Sequence, residues 1–568
     1  MKKLLAVAAA AAVTFTGLSA VPSAADPAQL AAPVPITTQS TTKSSTSSTS
    51  STSSTVAYTP PKIAWTTCAA EVLAANGIEC GTLVVPLDYA KPKGVKIKLA
   101  VSRLKHKPAA GAYQGVMLVN PGGPGGSGLI FSILGRGDFV PGNGDLRYDW
   151  IGFDPRGVGS SEPALTCDGS YAGYDRPNYV PTTRALEKAW LRKAEGYATD
   201  CKYADASRLL PHLKTTDTIK DIESLRRALG QSRINFYGFS YGTYIAQVYA
   251  TQHPTRVRRF VLDGVVDSGR VWYRSNLDQD RAFEKTINVW FTWLARYDSV
   301  FHLGNNTDIV AATYYRQLAK LDVTPAAGVI GPDELNDVLL SAGYYVNDWV
   351  ELGQAFSSLV NDADATAIRA MYDAANPQTA GSDNGYAIYL ATICTEGTWP
   401  RSFSTWRTDN WRVYATAPFE TWANAWFNMP CRTWPARSSK PVKVTGKDVS
   451  STILLINETL DAATPYAGAL EVRRRFPSAS LIEGVGGTTH AGSLNGIACT
   501  DNAIGAYLAT GKVPKRLAGS RSDLKCPPVP QPEPTTVRSQ QKTTSTAKGT
   551  TDQVRKMLHE QVGRVPGR

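Results

Sequence analysis

After its first 25 residues the sequence has no apolar run approaching the roughly 20 residues a helix needs to cross a bilayer, so stable membrane insertion further along is not expected. It has no CxxC pair and no Cys/His zinc spacing, and neither a metal nor a cofactor is expected. It also lacks a helix-length basic stripe. Half of the formal charge of +12 lies in the first 25 and last 42 residues, leaving a mild excess on the body, which argues against nucleic acid as a partner. No internal repeat of solenoid period is present. What the chain does have is 43% hydrophobic residues, 47 Gly and 13 Trp, a composition that folds and that excludes wholesale disorder.

The ends differ from the middle. Residues 1–25 carry Lys2 and Lys3, an Ala/Leu/Val-rich stretch and the small residues Ser23-Ala24-Ala25, the layout of a cleaved secretory leader. Residues 26–61 are Ser/Thr-rich and read as a linker or propeptide; residues 527–568 are rich in Pro, Thr and Lys and read as a flexible tail, in which 552–562 could form a brief helix. The expected product is a secreted monomer. Its eight cysteines, Cys68, Cys80, Cys167, Cys201, Cys394, Cys431, Cys499 and Cys526, form an even set, as oxidative folding requires. Sequence does not choose among the 105 pairings. Pairing each cysteine with its nearest neighbour would close the shortest loops, and Cys526 would then fasten the end of the fold.

Between these ends, strand and helix alternate. GVMLVN (115–120), YDWIGFD (148–154), INFYGFS (234–240) and RVRRFVLDGV (256–265) are apolar runs separated by amphipathic segments such as 217–230 and 243–254. Single helices between strands predict a mostly parallel, doubly wound sheet. The rhythm stops after Asp267 and resumes at STILLIN (451–457). Ten of the 13 Trp fall in the helical stretch between. The organisation predicted is core (62–269), helical Trp-rich lid (270–445) inserted between strands 6 and 7, and core again (446–526).

Gly238-Phe239-Ser240-Tyr241-Gly242 is the one GxSxG of the chain, and it lies where a strand turns sharply into a helix. Such a turn needs small residues on both sides and leaves the serine hydroxyl exposed above the sheet. A serine nucleophile needs a base. Of six histidines, only His490 and His559 lie far enough downstream for the order serine, acid, histidine, and His559 belongs to the tail. His490 sits in the Gly-rich loop GVGGTTHAG after the last predicted strand. The acid should end the preceding strand; Asp461 in NETLDAATP is favoured, Glu458 is its nearest rival, and Asp263 and Asp267 end an earlier strand. The oxyanion donors are expected at the backbone of Tyr241 and of Gly123, in the loop NPGGPGGSG that follows GVMLVN. That loop lacks the Lys-Ser/Thr of a phosphate site.

Together with GTLVVPLDYAKP (81–92), WIGFDPRGVGSS (150–161) and VLDGVVD (261–267), these motifs resemble the secreted tripeptidyl aminopeptidases of actinobacteria, the prolyl-aminopeptidase-like branch of the α/β-hydrolases. The resemblance runs through about 63–526. It implies an α/β-hydrolase fold, a triad of Ser240, Asp461 and His490, and removal of short N-terminal peptides from peptide substrates. The family's histidine loop more often reads Gly-His-Gly; here Thr489 and Ala491 flank His490. Enzymes of this kind need an anion for the substrate ammonium, and Glu396, beside Cys394, is the residue expected there, with Asp278, Asp348 and Glu351 as rivals. A carboxylesterase or lipase on the same scaffold is the alternative, and a non-catalytic binding protein a third.

Overall fold

The structure, a computed structural model, describes residues 58–107, 112–534, 551–559 and 561–562. The proposed leader, nearly all of the Ser/Thr-rich segment and His559's side chain lie outside what it describes. Ten strands form one sheet: β1 (Thr66–Thr67), β2 (Glu79–Pro86), β3 (Lys96–Leu104), β4 (Val116–Asn120), β5 (Asp149–Phe153), β6 (Ile234–Phe239), β7 (Val257–Asp263), β8 (Ile453–Glu458), β9 (Ala479–Gly484) and β10 (Leu524–Cys526). Their spatial order is β1-β2-β3-β5-β4-β6-β7-β8-β9-β10. From β5 to β10 every pairing is parallel. The first three strands run antiparallel to their neighbours.

The central strands are apolar throughout because both faces are covered. Val116 and Leu118 of β4 point into one core, Met117 and Val119 into the other. The same alternation divides Ile234 and Phe236 from Tyr237 and Phe239 on β6. The strands expected from apolar runs occur within two residues of their expected bounds. The antiparallel pair β2–β3 was not expected.

The helical insertion falls between β7 and β8, not between the sixth and seventh strands. It begins with helix Tyr273–Arg296 and closes with Thr421–Asn428 and the turn Met429–Arg432. It is not one body. Trp290, Trp293 and Trp349 build a core of their own. Trp399, Trp406, Trp422, Trp426 and Trp434 instead join the main core, where Trp426 stacks on Trp190 of helix Arg184–Tyr203 at 5.6 Å. The large indoles thus serve packing, as burial of that much apolar area favours.

All four disulfides follow nearest-neighbour pairing: Cys68–Cys80, Cys167–Cys201, Cys394–Cys431 and Cys499–Cys526. The fold does not end at Cys526. Within the stretch read as a flexible tail, Val529 is buried in the insertion's core, and the indole Nε1 of Trp293 donates to Pro532 O at 3.0 Å. Helix Thr551–His559 buries Val554 and Leu558 against Leu494 and Phe139. A Pro- and Thr-rich composition hides these few apolar residues, whose partners are far away in sequence.

Arg156, from the Asp-Pro-Arg-Gly turn after β5, lies fully inside the core. It makes two 2.7 Å bonds to Asp221 and donates to the carbonyls of Leu87 and His212. Removing one member of such a pair strands a buried charge. Arg156→Met is expected to cost about 3–5 kcal/mol in urea unfolding, and a second change, Asp221→Leu, to recover part of the loss. Equal stability of wild type and Arg156→Met would contradict this account.

Candidate active site

Parallel strands deliver their C-terminal ends to one edge of the sheet, and the predicted residues lie there. Ser240 follows β6 with φ 51° and ψ −125°, a conformation rarely tolerated by a residue with a side chain. The backbone passes so close to its neighbours that a Cβ on Gly242 would lie 2.5 Å from Asn120 O, and one on Gly122 would lie 2.8 Å from Ser240 Cβ. The elbow and the Gly-rich loop are therefore in direct contact. Asn120 Oδ1 accepts from Gly122 N at 3.0 Å, so that amide is occupied. Gly123 and Tyr241 both line the cavity beside Ser240. Asp154, just after β5, pins the far end of the loop: its Oδ1 accepts from Ser127 Oγ (2.6 Å) and Gly128 N (3.0 Å). Leu129–Arg136, which follows this loop, is a 3-10 helix.

Asp461 and His490 meet. His490 Nδ1 lies 2.9 Å from Asp461 Oδ2 and 3.0 Å from Oδ1. Asp461 also accepts from Thr464 N (2.9 Å) and Thr464 Oγ1 (2.8 Å), which satisfies a carboxylate that is 1% exposed. The His490 ring is fully buried, with Tyr344 edge-on at 5.8 Å. Its Nε2 has no hydrogen-bond partner among the described residues, so the link to Ser240 is not closed in this conformation. The ring nonetheless sits against Gly264, one residue from Asp263, whose carbonyl accepts from Ser240 N at 2.9 Å.

The loop that carries His490 is held by its backbone. Thr489 N donates to Glu458, Ser493 N to Asp263, and Leu494 N and Gly496 N to Asp501. Asp263 and Glu458, weighed as the triad acid, therefore serve the loop instead. Burial pushes Asp263 up to about 6 and Glu458 up to about 8. Asp154 and Asp501 were not singled out from sequence. Asp154 ends a predicted strand and Asp501 lies in a helix the sequence reading did not include, and both have backbone amides as partners, which leave no pattern in sequence.

Ser240, Tyr241 and Gly123 open onto a cavity of about 440 Å³. Its other walls are Val266 and Asp267 after β7, Trp272 to Arg281 at the start of the insertion, Tyr389, and Ala463 to Gly468. Glu396 does not line it. Its carboxyl is buried behind Tyr241 and Trp272 and accepts from Thr215 N (2.6 Å) and Thr215 Oγ1 (2.9 Å). Thr215 Oγ1 in turn contacts Tyr241 OH at 2.7 Å. Proximity to a disulfide in sequence placed Glu396 one layer too far out. Of its rivals, Asp278 faces the cavity, ion-paired with Arg270 and Arg281. Asp348 and Glu351 line a separate cavity of about 330 Å³ inside the insertion. Among the described residues there is no cluster suited to a metal ion, and no helix is long and apolar enough to cross a membrane.

The sheet order, the strained elbow and the buried Asp461–His490 couple define an α/β-hydrolase, and residues 115–487 match the family model for the alpha/beta hydrolase fold. The chain is 39% identical over 485 residues to a tripeptidyl aminopeptidase of Streptomyces lividans, covering 83% of this chain and 88% of that protein. It is 29% identical to the serine protease Hip1 of Mycobacterium tuberculosis (80% and 89% covered) and 28% identical to a carboxylesterase B of the same species (82% and 90% covered). The chain belongs to the tripeptidyl-aminopeptidase-like family of α/β-hydrolases, serine exopeptidases.

Burial raises the Glu396 carboxyl to about 7 from its ordinary 4.5. Its proton is therefore held more tightly in the folded chain than in the unfolded one. The stability this lends is complete below 4.5 and is lost as pH rises through 7. Glu396→Gln removes that dependence. The melting temperature of this variant relative to wild type is expected to rise between about pH 5.5 and about pH 8.5. A constant difference in calorimetry across that range would show that Glu396 does not titrate there.

Proposed function

We propose that the protein is a secreted aminopeptidase that releases di- or tripeptide units from free N-termini through an acyl-enzyme on Ser240. The observation that carries this reading is the buried Asp461–His490 couple, set at the same sheet edge as a strained Ser240 that opens onto a large cavity. In this reading His490 Nε2 takes the Ser240 proton as the hydroxyl attacks the scissile carbonyl, then returns it to the leaving amine. Asp461 holds Nδ1–H and so fixes the tautomer and stabilises the imidazolium. The amides of Tyr241, the first residue of its helix, and Gly123 receive the oxyanion. The insertion acts as a lid, since Trp272 to Arg281 wall the cavity opposite Ser240.

The substrate ammonium is held by an acid that faces the cavity. Asp267 is the better placed, because Asp278 is ion-paired with two arginines, whereas Asp267 accepts from Gly269 N and is influenced more weakly by Arg475 and Arg270. Glu396 supports this wall from behind. Four disulfides support an oxidising destination, in keeping with the leader-like residues 1–25. Identity to a carboxylesterase B keeps ester hydrolysis as the second reading.

Peptide anilides with free and acetylated N-termini, tested beside a short acyl nitrophenyl ester, separate the two. The free peptide should be cleaved fast and the acetylated one at least about tenfold more slowly, and Ser240→Ala should abolish both. Asp267→Asn should raise KM for the free peptide about tenfold, the size of a charge-assisted bond. Equal cleavage of the acetylated peptide would refute the aminopeptidase reading, and turnover of the ester alone would favour the esterase.

A further inference from the structure

Glu458 ends β8, three residues before Asp461, and is 4% exposed. Its two oxygens are divided between two distant pieces of chain. Oε2 accepts from Thr489 N at 2.5 Å, the amide immediately before His490. Oε1 accepts from Val529 N at 2.7 Å, beyond the last cysteine. The space around the carboxyl is shaped for it: a Cβ on Gly487 would lie 2.3 Å from Glu458 Cδ, and one on Gly484 would lie 2.9 Å from Glu458 Cγ.

Val529 belongs to PPVPQPEP (527–534), where alternate prolines lack an N–H and fix φ. Val529 is thus one of few donors the segment has, and Glu458 takes it. Downstream, Gln531 Oε1 accepts from Arg296 (3.3 Å) and Pro532 O from Trp293. Both lie on helix Tyr273–Arg296, the other end of which walls the cavity. One carboxyl therefore joins the His490 loop to a strap, and the strap to the cavity's roof.

We propose that Glu458 is a positioning residue for His490, and that by bridging Thr489 N and Val529 N it ties the His490 loop to the backbone of the strap 527–534. The proposal rests on His490 acting as the base. Above the value of about 8 to which burial raises it, the Glu458 carboxyl is ionised and both of its oxygens accept, as two N–H donors facing one side chain require. A glutamine would offer one and turn an NH₂ against the other amide, leaving it unpaired. Released from this clamp, the Thr489 backbone shifts, and small displacements of a reacting group are costly to rate.

Three variants of the full chain, compared at about pH 9 where the Glu458 carboxyl is ionised, test this. Glu458→Gln loses the second acceptor. Val529→Pro removes the donor but keeps an apolar side chain, and Val529→Ala keeps the donor but trims the packing. Glu458→Gln and Val529→Pro should each lower kcat on a free peptide anilide by about 10- to 100-fold, with KM within about threefold. The double variant should be no worse than either alone. Val529→Ala should lower Tm but hold kcat within about twofold.

A readout independent of turnover is the downfield proton resonance of His490 Nδ1–H, assigned by its loss in His490→Ala. It should shift or broaden in Glu458→Gln and Val529→Pro, and stay in place in Val529→Ala. An inactive wild type would sink the peptidase reading, and this resonance would still decide the clamp. Unchanged kcat and an unmoved resonance in Glu458→Gln would overturn the proposal. So would losses in Val529→Ala equal to those in Val529→Pro, which would mark the strap as packing alone.

Discussion

The His490 ring is wholly buried, and the site around it is built to hold an imidazole in a dry place. In low dielectric an unpaired carboxylate or amide is expensive, and among the described residues the polar groups near the ring are answered, with His490 Nε2 and one oxygen of Asp263 as the exceptions. Asp461 is answered by the imidazole and by two bonds from Thr464. The Gly-rich loop 484–496 has few side chains that could anchor it, so its amides must be. Glu458, Asp263 and Asp501 accept them, each from a different element: the end of β8, the end of β7 and helix Ala498–Thr510.

Topology explains why such distant residues converge. In a parallel sheet the C-terminal ends of β4, β6, β7 and β8 share one edge, and the turns after them supply the Gly-rich loop, Ser240, the Val266–Asp267 wall and Asp461. The elbow's strain at Ser240 is sustained because the surrounding backbone overdetermines it: Ser240 N is fixed on Asp263 O, and Thr243 Oγ1 closes the turn on Ser240 O at 2.7 Å. Arg156 and Asp154 brace the same edge from beneath, which gives the motif WIGFDPRGVGSS a structural purpose without a chemical one.

Much of this was legible in the sequence because the signals are local. Apolar runs mark buried parallel strands, GxSxG at a strand-to-helix junction marks the elbow, and elimination among six histidines leaves His490. Sequence did not choose the disulfide pairing; the nearest-neighbour arrangement coincides with the one the structure forms. The illegible parts share one cause: their partners are remote. Glu458 looks like a triad acid until Thr489 and Val529 are seen to occupy it. Glu396 looks like a cavity residue until Thr215, some 180 positions away, claims both its oxygens. The strap 527–534 reads as tail because proline-rich composition predicts no packing, yet a single buried valine and two carbonyl or amide contacts suffice to seat it.

Fold and triad leave the substrate open, and the cavity must decide it. Its walls combine aromatic surface from Tyr241, Trp272 and Tyr389 with the charged set Asp267, Arg270, Asp278 and Arg281. Arg270 and Arg281 are already spent on Asp278, so that trio offers little to an incoming cation, which would have to displace an arginine. Asp267 is different: burial raises its carboxyl above the usual range, and its bond from Gly269 N leaves further acceptor capacity. An ammonium arriving there would pair with a half-buried carboxylate, a charge-assisted bond that offsets the cost of its lost hydration and that a neutral ester cannot make. In the proposed reading it is this carboxylate, and not the reacting groups, that would set a free peptide N-terminus apart from an acyl chain.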